Sequence, residues 1–401
     1  MNYILVILVC ASFSLTSSSD LKNDEVVDFV INSGYMCTAH EVVTDDGYIL
    51  RIHRIPPKFN TGPKKPVFLM HSAFSNSLYW LNTPNISLGF YLADKGYDVY
   101  LGNVRGSKYA TAHKWLNTDS LEYWRFSFHE MGVYDLPAMI DFTLKLSGSD
   151  KCYYVGHSQA TTQDLIFLSM RPEYNDKIIQ SHLMSTAGAF ANPRFPVKQF
   201  APLYLVRINN FYMFSKMLNK IPYINFGPGN KFGARTSNVL CTKGLPLRFC
   251  QLFNYLVLGG DPMMPFMPHT DPAVYRTIFP TLSPRTSLQV VTHYAQTMIS
   301  GRFRPFDYGP EENLKLYGAK VPPDYPLHKI TSPVYLYVGQ YDLIFRKEDT
   351  DLVARQLPNV HYMIIPSYNH IDFVFARDAR DRIYNIILHG FEEANQNRRL
   401  K

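Results

Sequence analysis

Apolar and polar positions along this chain fall into short blocks that switch between two periods. Residues 24–33 carry apolar side chains at helical spacing and predict a short amphipathic helix. Residues 41–44 and 48–55 flank Asp45-Asp46-Gly47, which predicts a β-hairpin. Residues 66–70 and 97–101 are continuous apolar runs, as expected of strands buried on both faces. Residues 126–146 return to helical spacing, with the helix broken or started near Pro137. Cys152 to Val155 form another apolar strand, then a tight turn leads into a helix beginning near Ala160; residues 177–187 predict a further strand.

From about residue 192 to 326 this alternation fades into a region rich in Pro, Phe, Tyr and Met. It resumes with apolar runs at 334–338 and 362–365, and a helix over about 377–393 closes the chain. The pattern predicts one α/β core, a mostly parallel sheet with helices on both faces, formed by residues 20–191 and 327–401. Residues 192–326 are inserted between the two halves as a cap over the C-terminal ends of the strands.

Composition narrows the setting. A chain of 401 residues with 46% hydrophobic and 18% charged residues can bury a large core. The net charge of +7 is spread along the chain, with no basic block suited to nucleic acid. Residues 3–15 are an apolar run too short to span a bilayer, followed by small polar residues, so 1–19 predict a secretory signal peptide. No other run is long and apolar enough to cross a membrane. Cysteine usage agrees with secretion: Cys241 and Cys250 flank a short proline-containing segment and are the expected disulfide, Cys152 reads as a packed free thiol, and Cys37 is undecided. Asn85-Ile86-Ser87 is an N-glycosylation acceptor.

Candidate chemistry follows three of the predicted strands. Ser158 stands in Gly156-His157-Ser158-Gln159-Ala160, Asp342 follows the run at 334–338, and His370 follows the run at 362–365. A serine at the apex of a strand–turn–helix projects its hydroxyl, and small residues must stand two before and two after it. A base must take the serine proton, and an anion must hold the imidazole tautomer. The order Ser158, Asp342, His370 is that of the α/β-hydrolase architecture. His157 lies in the turn and points elsewhere, His361 is at the wrong end of its strand, and His293 is in the cap. Asp372 reads as a helix cap, and Asp349 and Asp351 as acidic residues at a helix start. No His/Cys/Asp cluster has metal-ligand spacing, and no Gly-rich nucleotide loop is present, so no cofactor is expected.

Longer motifs carry a resemblance. Val42-Val43-Thr44-Asp45-Asp46-Gly47-Tyr48-Ile49-Leu50, the stretch 92–103 with Arg105-Gly106, Phe126-Ser127-Phe128-His129-Glu130-Met131, Gly156-His157-Ser158-Gln159 and Tyr368-Asn369-His370-Ile371-Asp372-Phe373 resemble the acid lipase family of gastric and lysosomal lipases and their insect relatives, over about residues 27–392. The resemblance implies hydrolysis of triacylglycerols or steryl esters at a lipid–water interface by Ser158, Asp342 and His370. It implies backbone oxyanion donors at Ala73 and Gln159, a lid over about 229–258, and a cap disulfide matching Cys241 and Cys250. It places the protein outside the cell or in an endomembrane or lysosomal lumen.

Three positions depart from the family pattern. Family His-Gly-Leu is His71-Ser72-Ala73 here; if that position needs positive φ, serine costs about 1–2 kcal/mol. Ala160 replaces a glycine, and so does Arg285 in Ser283-Pro284-Arg285-Thr286-Ser287. These departures motivate a second reading, a catalytically weakened lipid-binding or storage protein on the same fold.

Overall fold

The computed structural model describes residues 24–59, 64–83, 86–186, 188, 190–192 and 285–399. Short pieces between them are also described, at 223–225, 248, 251–252, 255–256, 258–260, 262 and 269–270. The predicted leader at 1–19, Asn85, Cys241, Cys250 and most of the predicted lid lie outside the described residues.

Asp24 caps helix α1 (Glu25–Asn32), its carboxylate accepting the N–H groups of Val26 and Val27. Strands β1 (Thr38–Val43) and β2 (Tyr48–Ile55) pair antiparallel around the Asp45-Asp46-Gly47 turn, as the hairpin signal predicts. There follow β3 (Val67–Met70), α2 (Leu88–Asp94), β4 (Val99–Asn103) and the short β5 (Ala112–His113). Next come α3 (Leu136–Ser147), β6 (Cys152–His157), α4 (Gln159–Met170) and β7 (Ile178–Met184). Strands β8 (Tyr223–Asn225) and β9 (Arg285–Ser287) form a separate two-stranded sheet. The chain then runs through α5 (Leu288–Ser300), α6 (Pro310–Tyr317), β10 (Val334–Gly339), α7 (Lys347–Ala354), β11 (Val360–Ile365) and α8 (Asn385–Arg399).

The main sheet has the order β1-β2-β4-β3-β6-β7-β10-β11, with β5 beside β2. From β4 to β11 all pairings are parallel. Alternate residues of one strand serve opposite faces: Phe68 and Met70 belong to one buried cluster, Val67 and Leu69 to the other. Such double-sided burial explains why these strands read as unbroken apolar runs.

The regular helix α3 does start near Pro137, which stands in its first turn, but the chain is already helical before it. A helical turn at Phe128–Glu130 passes into a widened π-turn at Met131–Asp135 and then into α3. Leu136 N–H bonds to Met131 O, five residues back, and so the ladder shifts just before the proline that cannot donate. The closing helix likewise starts through a π-turn at Arg380–Tyr384, later than the periodicity predicts, and runs on to Arg399. Cys152 is a buried free thiol as expected, and Cys37 is also free, its thiol pushed up to about 12 by burial and by Asp24.

Candidate active site

Four neighbouring strands, β6, β7, β10 and β11, end side by side at the C-terminal edge of the parallel sheet. Ser158 directly follows β6. Its backbone is left-handed (φ 57°, ψ −121°), the strained turn expected of a serine between strand and helix. Ser158 N–H bonds to Met184 O at the end of β7 (3.0 Å), and its carbonyl accepts from Thr161 N–H and the Thr161 hydroxyl. Gly156 has no freedom to carry a side chain: an added Cβ would lie 2.9 Å from the Tyr154 ring and 3.1 Å from Ala160 Cβ.

His370 Nε2 lies 3.0 Å from Ser158 Oγ. On the other side of the ring, Nδ1 lies 3.2 and 3.1 Å from the two oxygens of Asp342. Asp342 Oδ1 also accepts the backbone N–H groups of Ile344 and Phe345, both at 2.9 Å. The structure therefore brings Ser158, His370 and Asp342 into one hydrogen-bonded line, with all three side chains buried. With Nε2 facing the hydroxyl as acceptor, Nδ1 carries the ring proton, which is the tautomer a general base requires.

Ala73 and Gln159 lie at the same end of adjacent strands. β3 pairs with β6 so that Met70 faces Gly156; Ala73 is three residues past the first and Gln159 three past the second. Gln159 opens α4, so its N–H belongs to the first turn, where no intrahelical acceptor exists. Ser72 is not among the left-handed residues; Phe74 is, at φ 56°. The strain anticipated at Ser72 is thus absent, because the loop turns two residues later. Ala160 is wholly buried, its methyl seated opposite Gly156 and its carbonyl accepting the Tyr154 hydroxyl (2.8 Å). Arg285 lies exposed at the start of β9.

Several residues passed over in the sequence support this line. His157 does not point away: Nε2 lies 2.7 Å from the carbonyl of His370, and Nδ1 accepts from the Tyr79 hydroxyl (2.8 Å). Burial, then the neighbouring His370 ring, holds His157 well below the usual histidine range, so it is neutral and Nε2 donates. Asp372 does not cap a helix by bonding to it. It accepts Asn369 N–H and the Thr270 hydroxyl, both at 2.8 Å, tying the His370 loop to the segment that precedes it in space. Asp349 is more than an acidic residue at a helix start: it is buried and accepts Ala191 N–H and Asn192 N–H. Leu258 O accepts from both His370 N and Leu343 N (3.3 Å each), so a strap at 258–260 crosses the loops carrying the base and the acid. His361 stands at the start of β11 and His293 is buried in α5, each remote from Ser158 by element.

Ser185, the residue just after β7, had no signal in the sequence beyond its position at a strand end. Its hydroxyl bonds to Asp342 Oδ2 and lies 2.8 Å from His370 Nδ1. A second Ser–His–Asp line also exists, Ser77–His53–Asp24 (2.8 and 3.0 Å). Ser77 and His53 are wholly buried among β2, β4 and α1, out of reach of any ester, so this line is structural. Burial opposes the charge of Asp24, but the hydrogen bond to His53, the charge of His53 and the capped N–H groups outweigh it and hold the carboxyl well below its usual range. Among the described residues no group of three His, Cys, Asp or Glu side chains is placed to hold a metal ion, and no helix is long and apolar enough to cross a membrane.

Residues 26–83 match a family described as a partial alpha/beta-hydrolase lipase region, and residues 65–205 match the alpha/beta hydrolase fold. The chain is 37% identical over 366 residues to Lipase 3 of Drosophila melanogaster, covering 89% of this chain and 90% of that protein. It is 34% identical over 372 residues to gastric triacylglycerol lipase of Rattus norvegicus, covering 90% of each. A putative lipase from Sulfolobus solfataricus has a similar structure, with a TM-score of 0.58 at 15% identity over 90% of this chain and 94% of its own; that likeness concerns the fold alone.

Proposed function

The chain belongs to the acid lipase family of the α/β-hydrolase superfamily, and from that premise we propose that it is a serine lipase or esterase. Its substrates are carboxylic esters of lipids, triacylglycerols or steryl esters, met at a lipid–water interface. The observation that carries this reading is the hydrogen-bonded line from Ser158 Oγ through both ring nitrogens of His370 to Asp342.

In the proposed cycle, Ser158 Oγ attacks the ester carbonyl carbon while His370 Nε2 takes its proton. The backbone N–H groups of Ala73 and Gln159 hold the resulting oxyanion; losing one such donor costs about 100- to 1000-fold in rate. The tetrahedral carbon then expels the alcohol, which leaves with the proton from Nε2, and an acyl-enzyme remains on Ser158. Water repeats the sequence: Nε2 takes its proton, the hydroxide attacks the acyl carbon, and the free acid departs as Oγ regains a proton. The ring proton at Nδ1 stays in place throughout, held against Asp342.

The same reading takes residues 20–191 and 327–401 as the hydrolase core and 192–326 as a cap with its lid. It includes a leader at 1–19, a Cys241–Cys250 bridge, a glycan at Asn85 and a secreted or lumenal location, and it needs no cofactor. Turnover is favoured over a storage role because the Ser72 backbone is not left-handed.

A fluorophosphonate probe tests the nucleophile without a guess at the acyl chain. The wild-type protein should be labelled at Ser158, and Ser158→Ala should take no label and lose ester hydrolysis by about 10⁴-fold or more. Equal hydrolysis by wild type and Ser158→Ala, across short and long acyl esters, would sink the proposal.

A further inference from the structure

The strand between those of the proposed nucleophile and acid contributes a residue of its own. Along the sheet edge, β6 is followed by Ser158, β7 by Ser185, β10 by the loop of Asp342 and β11 by the loop of His370. The registers hold Ser185 in place: His157 and Tyr337 both pair with Met184, and Ser185 N–H bonds to Tyr337 O at 2.8 Å. Its side chain is buried against the two partners.

Of the acceptors around His370 Nδ1, Ser185 Oγ is the nearest, at 2.8 Å against 3.1 and 3.2 Å for the carboxylate oxygens. The hydroxyl has one proton. Nδ1 carries a hydrogen when Nε2 faces Ser158, so Ser185 Oγ accepts there and gives its own proton to Asp342 Oδ2. Asp342 thus addresses the imidazole by two routes, one direct and one through a hydroxyl.

The backbone gives an independent indication. Ser185 has φ 55°, in the left-handed region that is costly for any residue but glycine. Glycine would remove that strain, but it would also remove the hydroxyl. Strain of this kind, at a position beside reacting groups, points toward function.

We infer that Ser185 is a positioning residue of the acid–base couple, orienting the His370 ring and completing the hydrogen bonding of Asp342; this rests on Ser158 acting as the nucleophile. No proton leaves Ser185 during turnover. Its hydroxyl keeps the imidazole in the plane and tautomer from which Nε2 reaches Ser158, and its loss leaves the direct Asp342 contact at its longer distance.

The test uses the full-length protein with Ser185→Ala and Ser185→Gly. Ala keeps the backbone strain and loses the hydroxyl, whereas Gly loses both. Three quantities are read: the rate of fluorophosphonate inactivation, kcat and KM for an ester, and the low-field proton resonance of the His370 imidazole, assigned by its absence in His370→Gln. Both variants should inactivate about tenfold more slowly, with the loss in kcat rather than KM. Both should displace the imidazole resonance, while the thermal midpoint of Ser185→Gly stays at or above that of wild type. An unchanged rate in either variant overturns the inference, and so does a slowed rate with an unmoved resonance, which marks a general packing effect. If the wild type takes no label, the reading of Ser158 has failed instead, and the resonance alone decides whether Ser185 holds His370.

Discussion

Gly156 and Ala160 face each other across the turn that presents Ser158, and their sizes are matched. The Tyr154 ring occupies the space where a Gly156 side chain would go, and the Ala160 methyl fills the remainder. With Gly156 kept bare by the Tyr154 ring, the Ala160 methyl packs beside it. Restoring the glycine that relatives' motifs carry at position 160 should therefore bring no gain in rate. Ala160→Gly is expected to leave ester hydrolysis within about twofold, and to lower stability by about 1 kcal/mol through backbone freedom and a lost buried methyl. Hydrolysis assays beside urea unfolding of the same variant check both halves. A large rise in rate would show that the methyl does obstruct the turn. Ser158 was legible because it follows an apolar strand and is flanked by small residues. Ser185 follows an apolar strand too, but nothing beside it in sequence distinguishes it from any serine at a strand end. Its meaning comes from β7 lying between β6 and β10, an adjacency that no local pattern encodes.

At the scale of elements, a strap at 258–260 lies across the loops that carry Asp342 and His370. Gly259 has φ 100°, and a Cβ there would come 1.8 Å from the carbonyl oxygen of Tyr341, next to Asp342. Gly259→Ala must therefore lift the strap and withdraw the Leu258 carbonyl from the N–H groups of His370 and Leu343. Two backbone hydrogen bonds at about 0.5–1.5 kcal/mol each set the scale. The variant should lose about tenfold or more in kcat/KM, measured on a soluble ester, while the core unfolds within a few degrees of wild type. Unchanged kinetics would mean that the strap only lies against the loops. The same scale shows where periodicity misleads. Pro137 signals a break, and the chain answers with a π-turn that moves the register of hydrogen bonds by one residue instead of ending the helix. Hydrophobic spacing records which face is buried; it does not record such a change of register. The hairpin at Asp45-Asp46-Gly47 was legible because the turn chemistry is local. Its anchoring was not. Arg105 reaches Asp46 (2.6 and 2.9 Å) and Asp135 (2.7 Å) at once, joining the turn to the π-helical segment from far along the chain.

Over the whole molecule, parallel strands buried on both faces and helices packed against them leave little room for a charge, yet α4 carries an ionisable group there. Asp164 is wholly buried, six residues beyond Ser158, and neither carboxylate oxygen has a hydrogen-bond partner among the described residues. Burial pushes its carboxyl up to about 8. The folded protein therefore keeps this proton through a range in which the unfolded chain, with an ordinary carboxyl near 3.8, has released it. Stability from this group is complete below pH ~4 and is lost progressively as pH rises toward ~8, by an amount on the order of several kcal/mol. Asp24 acts in the opposite sense: its carboxyl is held low by His53, so its contribution is present above pH ~4 and is lost as the pH falls further. Urea unfolding between pH 7 and pH 8.5, above the range in which the buried histidines titrate in the unfolded chain, should show a falling midpoint for the wild type. Asp164→Asn, which carries no ionisable proton at the same volume, should flatten that slope while remaining within about 1 kcal/mol of wild type at pH 5. A slope equally steep in Asp164→Asn would place the titration elsewhere. Sequence periodicity gives no warning of such a group, because Thr161, Thr162, Gln163 and Asp164 are a polar run that winds around most of one helical turn, and all four are buried. Only the packing of α4 against the sheet and its neighbouring helices turns that polar run into an interior one.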